Sequence, residues 1–152
     1  MIAEPVVIVA VVAIVILAAI LIFYKQAGSE MKRTTIKIGG VELDAEIVDN
    51  DLMRAKGLMF RSELAANEGM LFVFNKSGYH SIWMMNMRFS IDIIWLNESK
   101  HVVTIKRDAQ PCTLSCESFR PSEPARYVLE VNSGFASKHA IKNGSAAEFS
   151  LK

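Results

Sequence analysis

The chain has 152 residues, about half of them hydrophobic, and a formal net charge of +1. That length suits one domain with an appendage. Its 17 basic and 16 acidic side chains are too evenly balanced for the basic footprint of a nucleic-acid binder, and no block of like charges appears. There is no internal repeat.

The first element is an apolar run. Residues 6–23 hold fourteen Val, Ile, Leu or Phe and four Ala, and no charge falls between Glu4 and Lys25. An uninterrupted run of this length reads as a membrane span. Over residues 5–24 a helix would reach about 30 Å, the thickness of the hydrocarbon core. The absence of a polar stripe argues against a buried soluble helix. A cleaved signal peptide would need a basic start, a shorter core and a small-residue cleavage site, none of which fits Met1–Ala27. The expectation is an uncleaved anchor over 1–24, with the lipid bilayer as partner of 5–24, a polar tether over 25–33, and one domain over 34–152.

The side of the membrane is read from conflicting signals. Lys25, Lys32 and Arg33 follow the run, which by the positive-inside rule keeps the domain in the cytoplasm. A Cys112–Cys116 bond would suit an oxidising compartment, and three of the seven asparagines stand in Asn-x-Ser patterns, at Asn75, Asn97 and Asn143. The balance falls on the extracytoplasmic side, with the other side left open.

Beyond Arg33 the pattern is that of short strands. Residues 34–38 and 41–48 flank Gly39-Gly40, a two-residue hairpin signal. Asn50 and Asp51 offer caps and Gly57 a stop, predicting a short helix over 51–56. Strands are predicted at 70–74, 79–84, 91–96 and 102–106, separated by Lys76-Ser77-Gly78, by a bend at 88–90 and by Asn97-Glu98-Ser99. Residues 108–124, with three prolines and both cysteines, read as a long loop. A strand at 126–131, a short helix at 134–139 and a closing strand at 146–151 complete the chain. Close-spaced short strands predict a mostly β fold, barrel-like or a sandwich, with two or three short helices.

Several motifs in order carry a family resemblance. Ala55-Lys-Gly57-Leu58-Met59-Phe60-Arg61 runs on to Glu68-Gly69-Met70-Leu71-Phe72. Trp83-Met84-Met85-Asn86 and Ile91-Asp92-Ile93-Ile94 follow, then Ala109-Gln-Pro111-Cys112 and Pro124-Ala125-Arg126-Tyr127-Val128-Leu129-Glu130. The chain resembles the domain of unknown function 192 family over nearly all of 35–152. The resemblance implies a small β-rich fold, often behind a signal peptide or anchor, and no particular activity. Two departures stand out: the family's usual Lys between Met and Asn is Met85 here, and a Pro usual shortly before the Asp is Ser90.

Candidate site residues follow from residue type. Arg61, just after a Gly-Leu-Met-Phe segment, is either a structural arginine or an anchor for a carboxylate or other anion. Trp83, Met85 and Met87 fall on one face of an extended segment and suit the lining of an apolar or soft-ligand cleft; a core role is the plainer alternative. Thioethers with His80 or Cys112 suggest Cu(I), but His80 falls on the opposite face from Met85 and Met87, and no metal or cofactor is expected. Asp92, an acid in an apolar strand, needs a partner such as Arg61, Arg88 or Arg126. Arg61, Asn86 and Asp92 are therefore expected to gather at the rim of a concavity floored by Trp83 or Met85. Cys112 and Cys116 are read first as a disulfide, with free thiols or redox chemistry as alternatives; two ligands are too few for zinc. The leading functional expectation is a membrane-anchored binding or accessory module for an unknown small molecule, glycan or protein. The rivals are an enzyme, a hydrolase for example, built around Arg61, Asn86 and Asp92, and a structural partner acting through protein contacts.

Overall fold

The computed structural model describes residues 8–19 and 31–151, which belong to two separate units divided at Glu30. Residues 8–19 are helical (α1). No helix among the described residues is long and apolar enough to cross a membrane. The expected span over 5–24 runs past α1 at both ends, and those ends lie outside the described residues, as does most of the expected tether.

The second unit is built on one curled sheet. Its strands are β1 (Arg33–Ile38), β2 (Val41–Val48), β3 (Glu68–Gly78), β5 (Ile91–Leu96), β6 (Val102–Ala109), β8 (Ala125–Asn132) and β9 (Ala147–Glu148). A two-stranded ribbon joins β4 (Ile82–Trp83) to β7 (Ser118–Phe119). The main order is β6-β5-β8-β3-β2-β1-β9. Gly39 and Gly40 both take positive φ, 59° and 76°, which a two-residue turn matched to strand twist requires. Arg33, expected in the tether, opens β1 and pairs with Asp44, Glu46 and Glu68.

The two edges of the sheet meet at one end. His101 bridges Ala146, Val102 N–H donates to Ser145 O, and Ala147 N–H donates to Lys100 O, both at 2.9 Å. The result is a half-barrel rather than a two-sheet sandwich.

Every strand pair in the main sheet is antiparallel except β2–β3. A parallel pair needs a crossover, and this one carries α2 (Asp51–Lys56). Asn50 caps α2 by accepting the Met53 N–H at 2.9 Å, and Gly57, at φ 48°, ends it. Both faces of the sheet are consequently covered. One face packs Ile36, Leu71, Ile94, Leu129 and Val131 against Phe135, Ala136 and Ile141, from α3 (Phe135–Lys138) and just after it. The other packs Met70, Phe72, Ile93, Trp95 and Val128 against Leu58, Leu64, Ile82, Met84 and Met87. All six residues of β5 are buried, as its near-continuous apolar sequence requires.

Four segments depart from expectation, the closing strand over 146–151 keeping only Ala147–Glu148. Lys76-Ser77-Gly78 is strand, not turn: β3 continues to Gly78 through an irregularity after Val73 and pairs again with Ala125. Residues 79–84 keep only two strand residues. Trp95 Nε1 donates to His80 O at 2.9 Å, and the His80 ring stacks on Phe74 at 3.6 Å, so side chains hold 79–81 down where a ladder was expected. The long loop over 108–124 contains β7, and β6 runs on into its start.

Candidate functional site

Asp92 lies in β5 between Ile91 and Ile93. These two pack on the second face, so Asp92 points to the first, beside α3. It is fully buried. Its two carboxylate oxygens accept the Asp108 N–H and the Ala136 N–H, each at 2.9 Å. The short α3 has no cap from its own flanking residue Gly134, so Asp92 supplies the missing acceptor for its first turn. The expected gathering of Arg61, Asn86 and Asp92 does not occur: backbone amides, not an arginine, satisfy Asp92. Arg61 instead makes a two-pronged pair with Glu46, at 2.8 and 2.5 Å.

The concavity lies on the second face. It is a pocket of about 220 Å³ between residues 54–59, the aromatic rings of Phe72 and Phe74 on β3, and the 81–87 segment. Its walls are shaped by backbone. After Gly57, Leu58 plugs the core and Met59 faces the pocket. Phe60 takes φ 65° and is 59% exposed, and its N–H donates to Asn86 O at 3.0 Å. Asn86, at φ 57°, lies in a tight turn closed by Met87 N–H to Met84 O. That turn brings both Met85 and Met87 to the pocket. The disulfide loop holds it from the other side: Asn86 N–H donates to Cys112 O and Cys112 N–H to Met84 O. Cys112 and Cys116 are bonded, as expected, with Cα atoms 5.6 Å apart. Trp83 stands at the rim, 45% exposed.

The acid facing this pocket is Glu130. A row of cross-strand partners runs Arg33, Glu46, Met70, Glu130, Ile93 and Lys106, and directly paired residues share a face. Glu130 is 4% exposed. No hydrogen bond or ion pair engages its carboxyl among the described residues. Burial pushes its pKa up from the ordinary 4.5 to about 8, with Arg61 pulling the other way. Glu46, two strands away, is held below its ordinary value by the hydrogen bonds from Arg61. The sheet thus holds on one face two glutamates shifted in opposite directions, Glu46 toward its ionised form and Glu130 toward its protonated form.

Of the residues singled out from sequence, Trp83 and Met85 line the pocket. Asn86 shapes its wall through the backbone. Arg61 acts on Glu130 by charge alone, and Asp92 belongs to the opposite face. Met87, on the same predicted face as Trp83 and Met85, lines the pocket too, and Glu130 and Met59 are lining residues that the sequence reading missed. The signal that marked Asp92, an acid within an apolar strand, applies equally to Glu130 in Tyr127-Val-Leu-Glu-Val131.

Residues 34–149 match the family profile described as "Uncharacterized ACR". The chain belongs to the domain of unknown function 192 family. The fold implied by the resemblance is the fold found. Among solved structures, the chain is similar to a Sinorhizobium meliloti 1021 protein described provisionally as a transcription regulator. That match has 26% identity and a TM-score of 0.72, over 78% of this chain and 95% of the other. It is also similar to a protein of unknown function from Novosphingobium aromaticivorans DSM 12444, at 31% identity and a TM-score of 0.67, over 78% and 84% of the two chains. No curated protein matches the chain.

Proposed function

We propose that this member of the domain of unknown function 192 family is a binding module that takes a small ligand in the pocket between the 54–59 segment and the Met84–Met87 turn, and that residues 5–24 hold it at a membrane, with the domain on the outer side. One observation carries the reading: a buried carboxyl without a protein partner faces an open cavity. Burying an unpartnered polar group costs about 1–3 kcal/mol, and a fold that needed only packing would put an apolar side chain at Glu130. The cavity, about 220 Å³, falls below the roughly 300–1,000 Å³ of drug-sized ligand sites. The occupant is accordingly fragment-sized or smaller. The outer location is supported by the Cys112–Cys116 bond, and the anchor by the apolar sequence around α1.

A catalytic reading rests on the two glutamates. Environments that push two acids' pKa values apart are the usual arrangement for acid–base work, and Glu46 and Glu130 flank Met70 in one row. Only Glu130 reaches the pocket, which places binding first.

The test uses the full-length chain in detergent micelles, with a panel of fragment-sized amides, amines and single metal cations as probes. A saturable change in Trp83 emission, weakened by Glu130→Gln and by Met85→Ala, is expected for at least one probe. Silence across the whole panel, or changes that persist in Trp83→Phe and so report Trp95, would count against the pocket.

A further inference from the structure

The geometry points to a single soft monovalent cation, of the Cu(I) or Ag(I) class, as the occupant of this pocket, gripped by the thioethers of Met59, Met85 and Met87. The inference rests on the reading of the pocket as the binding site and goes further by naming the occupant's chemistry. Three of the chain's eight methionines line this one cavity. They arrive by separate backbone devices, Met59 from the turn after Gly57 and the other two from the tight turn at Asn86. Met70 and Met84, by contrast, are wholly packed in the core beneath and face no open space.

Thioether sulfur selects Cu(I) over zinc, calcium or magnesium. Trp83 lines the same cavity at its rim, and an indole ring attracts a cation placed over its face. Glu130, at the inner end, adds one oxygen donor and a means of balancing charge. Two cationic side chains line the cavity: the Arg54 guanidinium donates to Val73 O and pairs with Asp51, and Lys56 is exposed to solvent. The route through His80 considered from sequence is closed, because that ring stacks on Phe74 and bonds Lys76 O. Rival sites are lacking among the described residues as well. Both cysteines are tied in the disulfide, and among the described residues no group of three or more His, Cys, Asp or Glu could hold a metal.

Silver is the probe, since it needs no reductant that would open the disulfide. Silver nitrate titrated by calorimetry into the full-length chain, in micelles and chloride-free buffer, is expected to bind one per chain in the micromolar range or tighter and to quench Trp83. Equal Zn(II) leaves that binding unchanged. Met59→Leu, Met85→Leu and Met87→Leu each weaken it about tenfold or more, and the triple variant abolishes it. Met-to-Leu exchanges conserve volume and are among the best tolerated in packed sites, and a retained melting transition shows that the triple variant still folds. Met70→Leu, a core exchange outside the pocket, leaves silver binding intact. No binding by the native chain, or binding that survives the triple variant, overturns the assignment. Fragment amides or amines that still perturb Trp83 would then keep the pocket as a binding site with another occupant. Silence from these too would overturn both readings.

Discussion

Asp92 and Glu130 sit on neighbouring strands, both buried and both acidic, yet they face opposite sides of one sheet and do opposite work. Asp92 meets two backbone N–H groups and fixes α3 to β6. Glu130 meets none and opens on a cavity. Burial of an acid therefore says little by itself. The deciding question is where each oxygen's hydrogen bonds go: a carboxylate with every acceptor occupied is part of the scaffold, and one left spare is available to something else.

The comparison breaks first if Asp92 is dispensable. Asp92→Ala leaves the buried Ala136 N–H and the part-buried Asp108 N–H without acceptors, the buried one at about 1–3 kcal/mol and the other at less, so chemical denaturation should show a loss of about 2–4 kcal/mol. A loss under about 1 kcal/mol would remove Asp92 from the scaffold.

Replacing both cysteines by serine has a smaller expected effect. Opening a five-residue loop lowers stability by about 2 kcal/mol on the chain-entropy account. The sharper readout is local. The Asn86 N–H, bonded to Cys112 O, should exchange with solvent faster, while the Asp108 and Ala136 amides on the other face keep their protection. Uniform acceleration on both faces would dissolve the distinction between them.

Arg61→Ala comes next. Its pair with Glu46 is partly open to solvent, so the loss should be about 1 kcal/mol. Because Arg61 pulls the Glu130 pKa down, the variant should move that titration upward. A downward movement would show that Arg61 does not act on Glu130. Smallest of all is removal of residues 1–30: the main-sheet strands and both core clusters lie beyond Glu30, so the melting midpoint of 31–152 should match that of the full chain.

Much of the fold was legible because local signals and tertiary packing agree. Gly39-Gly40, the Asn50 cap and the Gly57 stop each specify one backbone conformation whatever surrounds them. The segments that misled are those where distant side chains decide. Nothing near 79–84 announces that Trp95 will hold His80 by its carbonyl, and nothing near Lys76-Ser77-Gly78 announces the renewed pairing with Ala125. The site was half legible. Trp83 and Met85 could be placed from their types and alternation. Arg61 and Asp92 were each seen to need partners, but the choice between a side chain and a backbone amide depends on the β2–β3 crossover and on where α3 docks. Glu130 carries the same signal as Asp92, an acid in an apolar strand, but nothing local to either strand tells which of the two meets backbone N–H groups.

The central claim is that the Glu130 carboxyl is spare to the fold, and the pH dependence of unfolding for the native chain and Glu130→Gln tests it most directly. The folded pKa of this acid is raised from 4.5 to about 8. Between those values the folded state keeps a proton that the unfolded chain has released, so the contribution of Glu130 to stability is greatest below about 4.5 and falls as pH rises toward 8. At about 1.36 kcal/mol per pH unit the gap corresponds to a fall of up to about 5 kcal/mol. The account predicts that Glu130→Gln flattens this fall and is more stable than the native chain at pH 8. A variant less stable than the native chain at pH 8, with the fall unchanged, would mean that the carboxylate has a partner and belongs, like Asp92, to the scaffold.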